Sequence, residues 1–456
     1  MRRSFQTSLV LFISVMAHGA DSSSVPSPRV VVKNQGYLPF ADAPINYRSS
    51  ELNDPVARLE KRLERGEVKL RYDARHGYLK SVLDALHISV DSQTLVFSRT
   101  SFQYPQINPE APRALYYNDD VYVGQVHDGK FLEFVSFDPM QGAIFYVMDE
   151  HRDKHPRFER SETDCIQCHV APSTKGIPGV MLRSVFTRPD GTAEGAARSY
   201  ITGQESPISQ RWGGWYVTAK NGGQGGMANV LISDPQHPEQ LERAAGTNLT
   251  SLAGRFDTSA YLTGSSDIVA LMVLAHQTQM HNWITLTTYQ TRIAQADPKL
   301  APGDVQKKIE GPAEQLVRYL LFTNEIPLQN PIAGTSDFAK QFAARGPRDA
   351  KGRSLRDFDL HTRIFRYPCS YLIYSEDFDA IPSPAKEYVY HRLFEVLSGR
   401  EQGPEFASLS SQDRRAILGI LVATKPGLPE EWKQFLRTAH QGFSSRTRAV
   451  AANLQR

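Results

Sequence analysis

Cys165-Ile166-Gln167-Cys168-His169 is the stretch on which the reading of this chain turns. On a helical turn, positions i, i+3 and i+4 lie on one face. The spacing therefore predicts a short helix that carries two thiols and an imidazole on the same side, with Thr163 or Asp164 as its N-cap. That pattern is the attachment signature of c-type haem. Two sulfurs reach the vinyl groups along one edge of a porphyrin, and the imidazole of His169 lies beneath as the proximal ligand to iron.

Three other readings compete. A thioredoxin-like redox pair has the same spacing but expects a βαβ context. The polar, proline-containing flanks (Arg157 to Glu162 and Ala171 to Pro178) do not supply one. A structural zinc site needs four ligands, and no second Cys or His pair stands at short range. A disulfide, or two idle thiols, followed by His through chance would be a coincidence in a chain with only three cysteines. One covalent haem through Cys165 and Cys168 is the expectation.

The N-terminus agrees with it, because covalent haem attachment takes place outside the cytoplasm. Arg2 and Arg3 precede an apolar run from Leu9 to Met16, broken only by Ser14, and small residues follow at Ala17, Gly19 and Ala20. Residues 1–20 read as a signal peptide cut after Gly19 or Ala20. The run is too short to span a bilayer, and so is every later one. The expectation is an exported protein without a transmembrane segment, periplasmic where the host has two membranes. A formal charge of +3 over 456 residues points to neither nucleic acid nor an anionic membrane. The densest basic stretch, Arg345 to Arg366, is interrupted by Asp349, Asp357 and Asp359 and reads as a solvated face. Cys369, alone in the apolar stretch Phe365 to Tyr374, reads as a buried inert thiol.

Working outward, the texture changes twice. Residues 21–53 are rich in Ser, Pro and polar side chains and read as a linker or extended arm. Asp54, Pro55 and the shared face of Val56, Leu59 and Leu63 predict a short helix closed by Gly66, and Tyr78 to Leu86 a second. Thr94–Phe97, Leu115–Tyr117, Val121–Val126, Phe131–Phe137 and Ala143–Val147 read as strands parted by turn signals, with His127-Asp128-Gly129-Lys130 as a hairpin. Val180 to Phe186 is strand-like, and the paired glycines of Arg211-Trp212-Gly213-Gly214-Trp215 allow backbone or a flat cofactor to approach closely. Helical signals follow: a long run from Asp267 to about Ala294 capped by Ser265 or Ser266, then helices opened by Gly311-Pro312, Ser383-Pro384, Ser410 with Asp413, and Pro429. The fold class expected is α+β: a β-rich haem-binding domain over residues 54–250 with the attachment helix inside it, then an all-α domain over residues 251–456.

Several segments bear a resemblance. Cys165 to His169, Tyr117-Asn118-Asp119-Asp120-Val121, Arg211-Trp212-Gly213-Gly214-Trp215, His276-Gln277 with His281-Asn282, and Tyr367-Pro368-Cys369-Ser370 resemble those of large secreted monohaem c-type cytochromes of bacteria, over most of the mature chain. The resemblance implies haem binding and redox work but no particular reaction. The dihaem peroxidases are less similar, since they carry two attachment motifs and this chain carries one.

Function divides on the sixth iron ligand. Met272, His276, Met280 and Trp283 fall on one face of the long helix. His276 is the first candidate there and a hydrogen-bonded core histidine its bland alternative. Met280, and Met227 in a glycine-rich loop, are the rivals, and an open site is the fourth possibility. With two axial ligands the protein is a one-electron carrier serving a redox partner protein. With an open distal side it is a monohaem oxidoreductase, peroxidase- or oxygenase-like, or a small-ligand sensor. No acid, base or nucleophile stands out as catalytic.

Overall fold

A computed structural model describes residues 38–161 and 163–438; the expected signal peptide and the first part of the expected arm lie outside them. Helix α1 (Pro55–Glu64) starts where Asp54 accepts hydrogen bonds from the Val56 and Ala57 amides, as its sequence implied. Helix α2 (Leu79–Ala85) follows. Then the chain runs up and down through β1 (Thr94–Val96), β2 (Arg113–Tyr117), β3 (Val121–Gln125), β4 (Phe131–Asp138), β5 (Gly142–Asp149) and β6 (Glu159–Arg160). Asn118 makes the turn into β3, its Oδ1 accepting from the Asp120 and Val121 amides. The β3–β4 hairpin forms where expected, with Asp128 at φ 56° in its loop.

Helix α3 (Thr163–His169) carries the Cys-x-x-Cys-His motif, and Thr163 and Asp164, expected as caps, lie within its range. The stretch expected as one strand after it is mostly irregular. Only β7 (Arg183–Ser184) pairs, with β8 (Tyr200–Ile201), because glycines and prolines on either side interrupt the ladder. Strand β9 (Trp215–Tyr216) returns to the edge of the main sheet beside β1. The result is a seven-stranded antiparallel sheet in the order β6-β5-β4-β3-β2-β1-β9. Gly213 and Gly214 do bring backbones together. The Gly214 carbonyl accepts from the Phe97 and Ser98 amides, the Gly213 carbonyl from Val185.

The remaining elements are helices α4 (Ile268–Ala296), α5 (Pro302–Leu320), α6 (Phe338–Ala344), α7 (Glu376–Asp379), α8 (Ser383–Ser398) and α9 (Ser411–Thr424), with residues 430–438 helical as well. Asp267 caps α4, accepting from the Val269 and Ala270 amides. Ser266, expected as the cap, instead joins strands to helix by accepting from Leu95 N and donating to the Tyr216 carbonyl. Helix α5 begins nine residues before Gly311, at Pro302, and runs through Pro312. Its apolar face, Ile309, Ala313, Leu316, Val317 and Leu320, is buried, and that burial outweighs the one helix hydrogen bond Pro312 cannot make. Ser410 and Asp413 form the reciprocal capping box that their spacing implied.

The architecture is thus mixed α and β, and both faces of the sheet are covered. Period-2 alternation sends Tyr116, Val123, Phe134, Ile144 and Tyr146 to one side with Val56, Leu59 and Leu79. It sends Tyr117, Tyr122, Phe137 and Phe145 to the other, into a cluster with α4 that continues through α5 and α8 to Trp432. Ile45 and Tyr47, within the stretch read as an arm, are fully buried. Helix α4 has 23 of its 29 residues buried, so it is the axle of the fold rather than a surface helix.

Candidate functional site

Helix α3 places Cys165 half-buried and Cys168 exposed, both as free thiols. Cys165 Sγ lies 3.7 Å from Ser161 Oγ, and burial pushes its thiol above the ordinary range. His169, four residues after Cys165, is half-buried with its ring 4.8 Å from that of Phe145 on β5.

The chain after the motif folds back on His169. Val170 is buried, and a 3₁₀ turn at Pro172–Thr174 reverses direction. The His169 carbonyl accepts from Thr174 Oγ1 at 3.0 Å and from the Gly179 amide at 3.0 Å. Gly179 answers with its own carbonyl, 2.8 Å from His169 Nδ1. A carbonyl only accepts, so Nδ1 carries the proton and Nε2 holds the ring's lone pair. Nε2 has no hydrogen-bond partner among the described residues. Burial holds the imidazole below its ordinary pKa, hence neutral, against the opposing pull of the Gly179 carbonyl. Thiols at i and i+3 and a neutral imidazole at i+4 with Nε2 unengaged are the donor set that c-type haem attachment requires.

His276 has other company. Its Nδ1 lies 2.7 Å from Gln204 Oε1 and its Nε2 2.8 Å from Ser370 Oγ. Its ring stacks on Phe322 at 4.4 Å, and burial pushes its pKa down to about 3. Met280 and Met227 are also buried, Met227 in a small cluster with Phe186 and Ile232. Met272, His276 and Met280 are all buried along one face of α4. Trp283, farther along it, lies under Lys175 of the post-motif loop, Nζ 4.2 Å from the ring centroid. Among the described residues, no three His, Cys, Asp or Glu side chains group to hold a metal ion by themselves.

The segments that carry the resemblance meet around α4. Gln277 donates to the Asn118 carbonyl at 2.7 Å and to Tyr122 at 2.8 Å. His281 bonds the Asp119 carbonyl at 2.8 Å, and His276 reaches Ser370. Arg211 donates to the carbonyl of Gln204, the residue whose side chain holds His276. Asn282, beside His281, bonds both main-chain groups of Val180, next to Gly179. Sequence reasoning named neither Gly179 nor Asn282 as site residues; the signal present was a glycine in the loop after the motif and an amide beside His281. Comparison with known protein families, with curated proteins and with solved structures found no match.

Proposed function

We propose that this chain is an exported c-type cytochrome in which Cys165 and Cys168 would hold one haem by thioether bonds and Nε2 of His169 would ligate its iron. The observation that carries the reading is the hydrogen bond from His169 Nδ1–H to the Gly179 carbonyl. It fixes the tautomer and frees Nε2, in a ring anchored one helical turn from two free thiols. Metal-bound histidines are held in this way by an acceptor on their other nitrogen. When bound, the haem supplies one-electron redox chemistry. The protein's own contribution is to attach it, to orient the imidazole, and to keep that imidazole neutral by burial.

One-electron exchange with a redox partner protein is the first activity, in the periplasm or otherwise outside the cytoplasm. None of the described helices is long and apolar enough to cross a membrane. The second reading is a monohaem oxidoreductase or small-ligand sensor with an open distal side. What favours it is His276, whose two ring nitrogens are both engaged; it must give up a hydrogen bond before it can meet iron. Met280 and Met227 remain the other internal candidates.

Expression with an apparatus for periplasmic haem attachment tests both. Haem should stay with the polypeptide through acid–acetone extraction, and Cys165→Ala with Cys168→Ala should release it. Haem lost from the parent chain overturns the proposal. Absorption spectra of the ferric and ferrous forms, with and without carbon monoxide, then separate carrier from open site.

A further inference from the structure

The carbonyl that aims His169 lies in a segment with no regular strand partner: residues 177–182 belong to no helix or strand. A loop carbonyl would be a loose anchor for a ligand, and a side chain of the central helix makes it a firm one. Asn282, fully buried in α4, accepts from the Val180 amide at 3.0 Å and donates to the Val180 carbonyl at 2.7 Å. Its amide thus stands in for a neighbouring strand. The direction of that amide is unambiguous, since an N–H only donates and a C=O only accepts. The approach is close on both sides, because a methyl group on Gly179 would run into Asn282 Oδ1. One turn earlier on α4, Gln279 Oε1 accepts from Lys175 Nζ at 3.0 Å and clamps the start of the same loop.

We infer that Asn282 is the positioning residue for the axial histidine: by holding Val180 at both main-chain groups it fixes the Gly179 carbonyl against which the His169 ring is set. This rests on the haem reading above and deepens it. A firm acceptor on Nδ1–H makes the imidazole more electron-rich, which favours ferric iron and lowers the reduction potential. A slack one does the opposite and lets the ring turn.

The test compares the parent with Asn282→Ala and Gly179→Ala, each produced with the haem-attachment apparatus. Thioether-bound haem on denaturing gels, the midpoint potential and the ferric electron paramagnetic resonance spectrum are recorded. Haem should be attached in all three. Both variants should show a higher potential, by about a tenfold change in the ferric–ferrous equilibrium (~59 mV for one electron), and altered g values. Gly179→Ala leaves the Asn282 amide in place and displaces the 177–182 segment from the other side, so the inference does not depend on one variant folding. Variants carrying haem with the parent's potential and g values overturn it while haem binding stands. Failure of both to fold also counts against it, since Asn282 then serves the fold and not the ligand. A parent without bound haem overturns both this inference and the proposed function.

Discussion

His281 and Asp377 face one another at 2.7 Å, Nδ1 to Oδ2, with the imidazole 0% and the carboxylate 4% exposed. The other ring nitrogen meets the Asp119 carbonyl, and the ring stacks on Phe137 at 3.8 Å. Both partners are acceptors, so both nitrogens carry protons and the ring is an imidazolium. Burial alone would lower the His281 pKa, but Asp377 outweighs it and the net direction is upward. Burial likewise raises Asp377, and His281 outweighs it, so the net direction is downward. The pair ties the turn before β3 to α4 and α7.

The pair's contribution to stability has a defined window. The His281 part is fully present below the ordinary 6.5 and is lost as pH rises through its raised folded value. The Asp377 part is present above the ordinary 3.8 and is lost as pH falls through its depressed one. Asp377→Asn should therefore cost about 3 kcal/mol at pH 6, since it leaves a buried charge without its partner. The cost should shrink as pH rises through the raised folded value of His281, since the parent then loses the pair too. Denaturant melts of both proteins from pH 6 upward, with the His281 ring titrated by NMR in the parent, measure it; a cost that stays constant through that titration contradicts the imidazolium assignment.

The contact between sheet and central helix can be weighed separately through glycine. Gly142, which opens β5, has φ 69°, and a methyl group there would meet the side chain of Thr285 on α4. Gly66, after α1, has the same φ of 69° with open space around it. Gly66→Ala should cost about 1–2 kcal/mol, the left-handed conformation alone. Gly142→Ala should cost that and roughly 1–3 kcal/mol more for overpacking. Equal losses in denaturant titrations would mean that Thr285 yields freely and that β5 does not bear on α4 there.

The regular elements were legible where a local signal suffices. Asp54 before Pro55, Ser410 with Asp413, and the alternation either side of Asp128-Gly129 each specify a structure within a few residues. Elsewhere a tertiary partner decides. Ser266 is a capping residue by type, yet it bonds strands β1 and β9 while Asp267 caps. Pro312 looks like a helix start until the buried face running on both sides of it is known. The site divides in the same way. Cys165, Cys168 and His169 come together on one turn because their spacing is local. Gly179 and Asn282 stand 10 and 113 residues from His169, and no periodicity in the chain joins them to it.

His276 was legible as an unusual side chain on an apolar face but not as a satisfied one. Its surroundings, Gln204, Ser370, Phe322 and Tyr319, come from three segments distant in sequence. His276→Ala should strand the buried Gln204 and Ser370 groups, at about 1–3 kcal/mol each, and so lower the melting temperature. Burial holds the His276 pKa down near 3, so protonating the ring opposes folding. That penalty is absent above the ordinary 6.5 and grows as pH falls from there toward the folded value. His276→Gln should therefore flatten the loss of stability between pH 6.5 and 3. Haem spectra supply the decisive comparison: with both ring nitrogens held by protein, the Ala variant should keep the ferric spin state of the parent. A low-spin parent turned high-spin by that change would identify His276 as the sixth ligand, showing that iron displaces Gln204 or Ser370. An already high-spin parent that binds carbon monoxide would move the open-site reading ahead of electron transfer.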